Sequence, residues 1–287
     1  MKLSENPDLS WLGSKDIVPY VFMRKENLVE KPGSYLKSCD WFSREPLYKN
    51  PLRMDEVTFA NQILNLETKA FQKASLQMPR WVFYDCAIIP GLVCGFAQRT
   101  SSLSESFCEA VGVNKDLEWT PLSLFIIIPT LRKGEWTAHN LCSSNSLVGE
   151  KDSKYALGFL SKAFGLWYAN VEVLCGVMQW QSPSIRLHSH YGLFEILTAY
   201  TPIHTIARTL TYRSRLDFEY WKSFFDSKSK LITTNYRYSG ITVDPKNDED
   251  LKSLQRQIEN GKKEAFYLNS HEIRTQNLDA PLKIYHI

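Results

Sequence analysis

Residues 186–192 read Arg-Leu-His-Ser-His-Tyr-Gly, and their two histidines are the first residues whose types and spacing suggest chemistry. On a strand, His188 and His190 would share one face. With His139, His204 or Glu195 as a third donor they could bind a metal. The preceding Ser-Pro-Ser-Ile predicts a short helix instead, where positions i and i+2 do not face each other. No HExxH and no spaced Cys/His set occurs, so a metal-free role is expected and no metal is assigned. An imidazole with its pKa near ~6.5 passes a proton either way around neutral pH. That makes His188 a candidate acid or base.

A second constellation is basic. Arg132, Lys133 and Gly134 follow the apolar run Leu122–Ile128, and Lys154 and Gly158 open a later apolar helix. Exposed amides at a helix start, joined by basic side chains, can hold a phosphate. Gly158 inside a good helix costs up to ~1 kcal/mol, which signals close backbone packing or ligand approach. Solvated loop charges and a packing glycine are the plainer alternative. No GxSxG, Walker A or GxGxxG pattern occurs, and no serine has the strand-to-helix context of a nucleophile. Cys142 and Cys175 are conceivable nucleophiles, with buried or incidental thiols the simpler account.

The elements around these residues follow from periodicity. LSLFIIIPT is an unbroken apolar run that suits a strand buried on both faces. KYALGFLSKAFGLWYA suits a buried helix, and VEVLCGVM a further strand. Strand, helix, strand predicts a βαβ unit with parallel neighbouring strands, interrupted by a polar loop from Leu131 to Ser153. Upstream, IVPYVFMR predicts a strand, Pro32 and Gly33 a turn, and Asp55 to Ser75 an amphipathic helix capped by Asp55. RWVFYDCAII and LVCGFAQRT predict a hairpin around Pro90 and Gly91, followed by a short helix between Ser102 and Val111. Downstream, LFEILTAYTPIHT and ARTLTYRSRLDF predict an antiparallel pair. NDEDLKSLQRQIENG predicts a surface helix with acids in its first turn and Gly261 after its end. EAFYLN and PLKIYHI predict added edge strands.

Composition bounds the partners. The 287 residues are 44% hydrophobic and 23% charged with a net charge of +3, ordinary for a globular protein and too weakly basic to predict nucleic-acid binding. The six cysteines form no CxxC or tight pair, which predicts a reduced, cytoplasmic setting. The N-terminus lacks an apolar core of signal-peptide type. The apolar stretch at residues 155–178 is broken by Lys162, Asn170 and Glu172, so no membrane span is expected.

Taken together, the helix, hairpin, strand, loop, buried helix and strand resemble the GNAT superfamily of acyl-CoA N-acyltransferases. SPSIRLHSHYGLFEI is similar to that family's segment of small residues, Leu-Tyr, three residues and Gly-Phe, with Leu187, His188, Gly192 and Leu193 on those positions. KYALGFLSKAFG resembles its glycine-containing helix start, and YDCAIIPGLVCGFA its hairpin ending in Gly-Phe. The family's pyrophosphate loop is Arg or Gln, two residues, Gly, one residue, Gly or Ala; Ser153, Ala156 and Gly158 stand there in this chain. The resemblance covers about Asp55 to Arg213. It implies an α+β fold, a mixed twisted sheet flanked by helices on both faces, with an N-terminal extension (1–50), an acyltransferase domain (51–218) and a C-terminal extension (219–287). It implies acyl-CoA or acetyl-CoA as co-substrate, or an acyl-carrier-protein donor, and a small-molecule or peptide amine as acceptor. Ile127 and Ile128 would offer backbone amides to pantetheine. Arg132, Lys133, Gly134, Lys154 and Gly158 would bind the pyrophosphate. His188 or Tyr191 would protonate the thiolate, and Glu172 would deprotonate the amine. A GNAT-like binding protein without turnover is the alternative.

Overall fold

A computed structural model describes residues 9–27, 45–202, 208–217, 234–261 and 264–287. The turn expected at Pro32 and Gly33, Cys39 and His204 lie outside the described residues. The chain divides into two compact units, Met1–Val171 and Glu172–Ile287. Both are α+β: in the first unit one described strand pair is parallel beside antiparallel ones, and the pairs described within the second unit are antiparallel.

The first unit contains β1 (Ile17–Phe22), β2 (Leu47–Lys49), α1 (Val57–Phe71), α2 (Arg80–Ile88), β3 (Leu92–Arg99), α3 (Glu105–Val111), β4 (Trp119–Pro121), β5 (Ser123–Pro129), β6 (Glu135–Ser143) and α4 (Leu157–Tyr168). Its strands run β6-β5-β3-β1-β2, and β4 takes over from β5 along the far end of β3. Helices cover both faces. Tyr20 stands opposite Gly95, and its ring meets Phe59 of α1 at 5.2 Å. Two residues on, Phe22 stacks on Phe83 of α2 at 5.4 Å. On the opposite face Phe96 meets Phe164 of α4. Gly165 lets α4 sit close: a Cβ there would come within 2.7 Å of Cys94 Sγ and of the Phe125 ring.

Four expectations change here. Arg80–Ile88 is a helix and not the first arm of a hairpin: its buried residues Phe83, Cys86 and Ala87 have helical spacing, and Pro79 stands at its start, where a missing amide proton costs nothing. The presumed polar loop contains β6, a nine-residue strand mostly half-buried, so its composition is too mixed to read as one. With β6 in place, β5 pairs antiparallel on both edges, with β3 and β6. The parallel neighbour expected for it has no edge to occupy. Asp55 does not cap α1 either; the helix begins with Glu56 as its N-cap and no side-chain cap bond, and Asp55 pairs with Arg53.

The second unit contains β7 (Val173–Gln179), α5 (Ser184–His188), β8 (Phe194–Thr198), β9 (Thr209–Arg215), β10 (Arg237–Val243), α6 (Asp248–Asn260), β11 (Phe266–Leu268), α7 (Ser270–Thr275) and β12 (Leu282–His286). Its strands run β10-β12-β11-β8-β9-β7. The short helix, the β8–β9 pair and the acid-started helix stand where the sequence placed them. β11 and β12 lie inside the sheet instead of at its edge, because β10 adds outside β12. Trp180, Ile185, Phe194, Leu210, Leu254, Leu268 and Ile284 belong to one buried cluster, so the C-terminal residues share a core with β8 and β9.

Candidate functional site

In the first unit the candidate residues lie at the entry to α4, along β6 and in the β5–β6 turn. Asn145 clamps Lys154 from both sides: its Nδ2 donates to the Lys154 carbonyl at 2.6 Å, and its Oδ1 accepts the Lys154 amide at 3.0 Å. Two residues before Lys154, Asp152 takes hydrogen bonds from Ser104 and Ser106, each 2.7 Å. Those hydroxyls hold its carboxyl below the usual range. The loop is thus fixed at two points before the chain reaches Ala156, whose φ of 58° is left-handed. That conformation suits glycine, and it sits where the sequence resemblance places the first glycine of a pyrophosphate loop. The following turn opens α4 with Leu157 and Gly158, and α4 has no side-chain N-cap.

Lys154 and Gly158 therefore share the start of α4, whereas Arg132, Lys133 and Gly134 lie in the turn between β5 and β6. The nine residues of β6, at ~3.3 Å each, separate that turn from the α4 entry. Arg132 also faces Glu135 at 3.8 Å. The structure does not bring the two basic groups together. Ile127 is paired on both sides, with Leu92 and Ala138, and Ile128 stands opposite Thr137. Ile127 thus lies inside the ladder, and Ile128 pairs on the β6 side.

The irregularity falls on β6. Ile126 pairs with Asn140 but Ile127 with Ala138, which leaves His139 as an extra residue in a β-bulge. Bulges re-aim a side chain and leave one residue out of the ladder. His139 is exposed, yet enough protein surrounds its ring that desolvation lowers its pKa from the ordinary imidazole value, which favours the uncharged form that can accept a proton. The sequence offered it only as a third metal donor; the bulge that singles it out has no composition signal.

In the second unit, His188 ends α5 and is buried, with Nδ1 at 2.8 Å from the Tyr212 hydroxyl and the two rings 5.2 Å apart. Tyr191 is 1% exposed, and its carbonyl accepts the Asp217 amide at 2.9 Å. Glu172 is exposed, and its carbonyl accepts the neighbouring Leu216 amide at 2.9 Å. The backbones of Glu172 and Tyr191 therefore flank one segment, Leu216–Asp217, while His188 belongs to Tyr212. His190 accepts from Arg274 at Nδ1, 3.2 Å, since a guanidinium only donates. Glu195 is held by both arms of Arg213 at 2.8 Å. His188 and His190 thus engage different partners. Among the described residues no group of three His, Cys, Asp or Glu is placed to hold a metal ion. The thiols of Cys94 and Cys142 are pushed far up by burial and make poor nucleophiles. No described helix is long and apolar enough to cross a membrane.

No protein-family model and no curated protein matches the sequence. Among solved structures the chain is similar to one described as an acyl-CoA N-acyltransferase from Klebsiella pneumoniae subsp. pneumoniae, with 13% identity and a TM-score of 0.32, over 58% of this chain and 93% of that one. It is also similar to an aminoglycoside 6'-acetyltransferase type Ii, with 9% identity and a TM-score of 0.37, over 57% of this chain and 94% of that one.

Proposed function

We propose that this chain transfers an acyl group from an acyl-CoA thioester to an amine. The observation that supports this most is the left-handed Ala156 between Lys154 and Gly158. It gives a non-glycine residue the backbone that a glycine-bearing pyrophosphate loop would need, at the position where the sequence resembles one. The first turn of α4 would offer its amides and positive dipole end to the phosphates, and the Lys154 ammonium would add a charge.

The thioester would lie along the bulged part of β6, where an amide outside the ladder can stabilise the oxyanion that develops on the carbonyl. His139 would take the proton as the amine nitrogen attacks the carbonyl carbon. The C–S bond then breaks, and the thiolate takes a proton from the His139 imidazolium formed in the attack. His188, Tyr191 and Glu172, the donors and the base read from the sequence, belong to the second unit, where His188 and Tyr191 are buried and Glu172 is exposed.

Thermal unfolding with acetyl-CoA and longer acyl-CoAs tests the reading. A ligand that binds only the folded state adds about 2.7 kcal/mol at a hundredfold excess over its dissociation constant. A shift that depends on acyl chain length, lost in Lys154→Glu, supports the assignment. No shift with any thioester rejects it. Binding without transfer to any amine would favour a binding protein that has lost turnover.

A further inference from the structure

A fully buried carboxyl group stands behind the bulge. Glu67 lies on the inward face of α1 with no exposed surface. Its Oε1 accepts the Met78 amide at 2.9 Å and the Asn140 side-chain amide at 3.0 Å. Its Oε2 is buried and has no hydrogen-bond partner among the described residues. Burying a carboxyl with one oxygen unpaired is costly, and an apolar residue would fill the same space without that penalty. What the carboxyl does that an apolar residue would not is bind Asn140, the residue immediately after His139. The same oxygen ties down Met78 in the connection between α1 and α2. One group therefore anchors the bulge to the helical layer behind it.

We infer that Glu67 is the positioning residue for His139, fixing through Asn140 the bulge that presents the imidazole. The geometry stands apart from acyl transfer; only the use of the imidazole as a base rests on that reading. The charge balance fits. Desolvation raises the Glu67 pKa while its two hydrogen bonds lower it, and no charged neighbour contributes to the shift at His139. Glu67 then acts on His139 by holding its backbone in a partly desolvated place and not by direct charge.

The test is an NMR titration of the imidazoles in the full-length protein, with the His139 signal assigned by its loss in His139→Gln. Glu67→Gln keeps a side-chain oxygen able to accept from Asn140 and Met78, so its His139 midpoint stays near that of the unaltered protein. Glu67→Ala and Asn140→Ala free the bulge, and the midpoint rises toward the ~6.5 of a solvated imidazole. Unchanged midpoints in both folded alanine variants overturn the inference. If Glu67→Ala does not fold, Asn140→Ala decides alone. Absence of acyl transfer in the unaltered protein would reject the proposed activity and leave these outcomes intact; where transfer is measured, its rate–pH profile moves with the His139 midpoint.

Discussion

Tyr212 and Gly176 stand opposite each other across the β7–β9 ladder, and the phenol ring occupies the space that a side chain at 176 would fill. A Cβ on Gly176 would lie 2.7 Å from both the ring edge and the hydroxyl of Tyr212. The ring has little room to yield, because it stacks on Phe194 at 4.6 Å and is bonded to His188 at 2.8 Å. Gly176→Ala is therefore expected to cost ~1–3 kcal/mol, the range for an added methyl in a packed core, and to disturb His188. Tyr212→Phe keeps the packing and removes the hydroxyl, at a cost of ~1–3 kcal/mol for the group left unpaired. Denaturant unfolding measures both. Two silent substitutions would mean that His188 is held by something other than Tyr212.

Ala156 yields a prediction of the opposite sign. A left-handed backbone costs an L-residue roughly 1–2 kcal/mol, while glycine gives back about 0.5–1 kcal/mol in unfolded-state entropy. The first effect is the larger. Ala156→Gly should stabilise the protein by up to ~1 kcal/mol, seen as a raised melting temperature, and should leave or improve acyl-CoA affinity. A lower melting temperature would show that the backbone at 156 is not left-handed in solution.

Much of this architecture was legible because burial writes a period into the sequence. α4 is buried almost all round, and its continuous apolar run announced a core helix. The acids in the first turn of α6 and the alternation in β8 and β9 were equally plain. β6 was hidden because it is half-buried along its length, so neither the alternation of a one-sided strand nor the unbroken run of a central one appears. α2 was misread because three aromatics in five residues resemble a strand, although only Phe83 of those three is buried. The site followed the same rule. His188 and Lys154 stood out by residue type, whereas His139 and Glu67 acquire their roles from a bulge and a burial that arise only when α1 packs on β6.

Lys162 lies wholly buried in α4, and desolvation pushes its pKa well below the usual 10.5. The unfolded chain therefore binds a proton at this residue over a pH range where the folded protein does not. Stability attributable to Lys162 falls as pH drops from 10.5 toward the lowered folded value. Lys162→Met keeps the length and removes the titration, so its unfolding free energy should vary less between pH 10 and neutrality than that of the unaltered protein. Parallel curves for the two proteins across that range would contradict the assignment.

Glu67 gives the mirror-image case. Burial raises its pKa above the usual 4.5, with desolvation outweighing the bonds from Met78 and Asn140. Ionising it costs more in the folded protein than in the unfolded chain, so in the window from 4.5 up to the raised value the folded state holds the extra proton. Stability at this residue is lost as pH rises through that window and regained as it falls. Glu67→Gln cannot titrate and serves as the reference. The melting temperature of the unaltered protein minus that of Glu67→Gln should therefore increase as the buffer is taken from pH 8 to pH 5, against the usual behaviour of a surface-paired carboxylate, which loses stability on acidification. Scanning calorimetry at matched ionic strength measures the difference directly. A difference that shrinks toward pH 5 would mean that the hydrogen bonds to the carboxylate outweigh its desolvation, and that the anchor of the bulge is an anion at every pH at which the protein works.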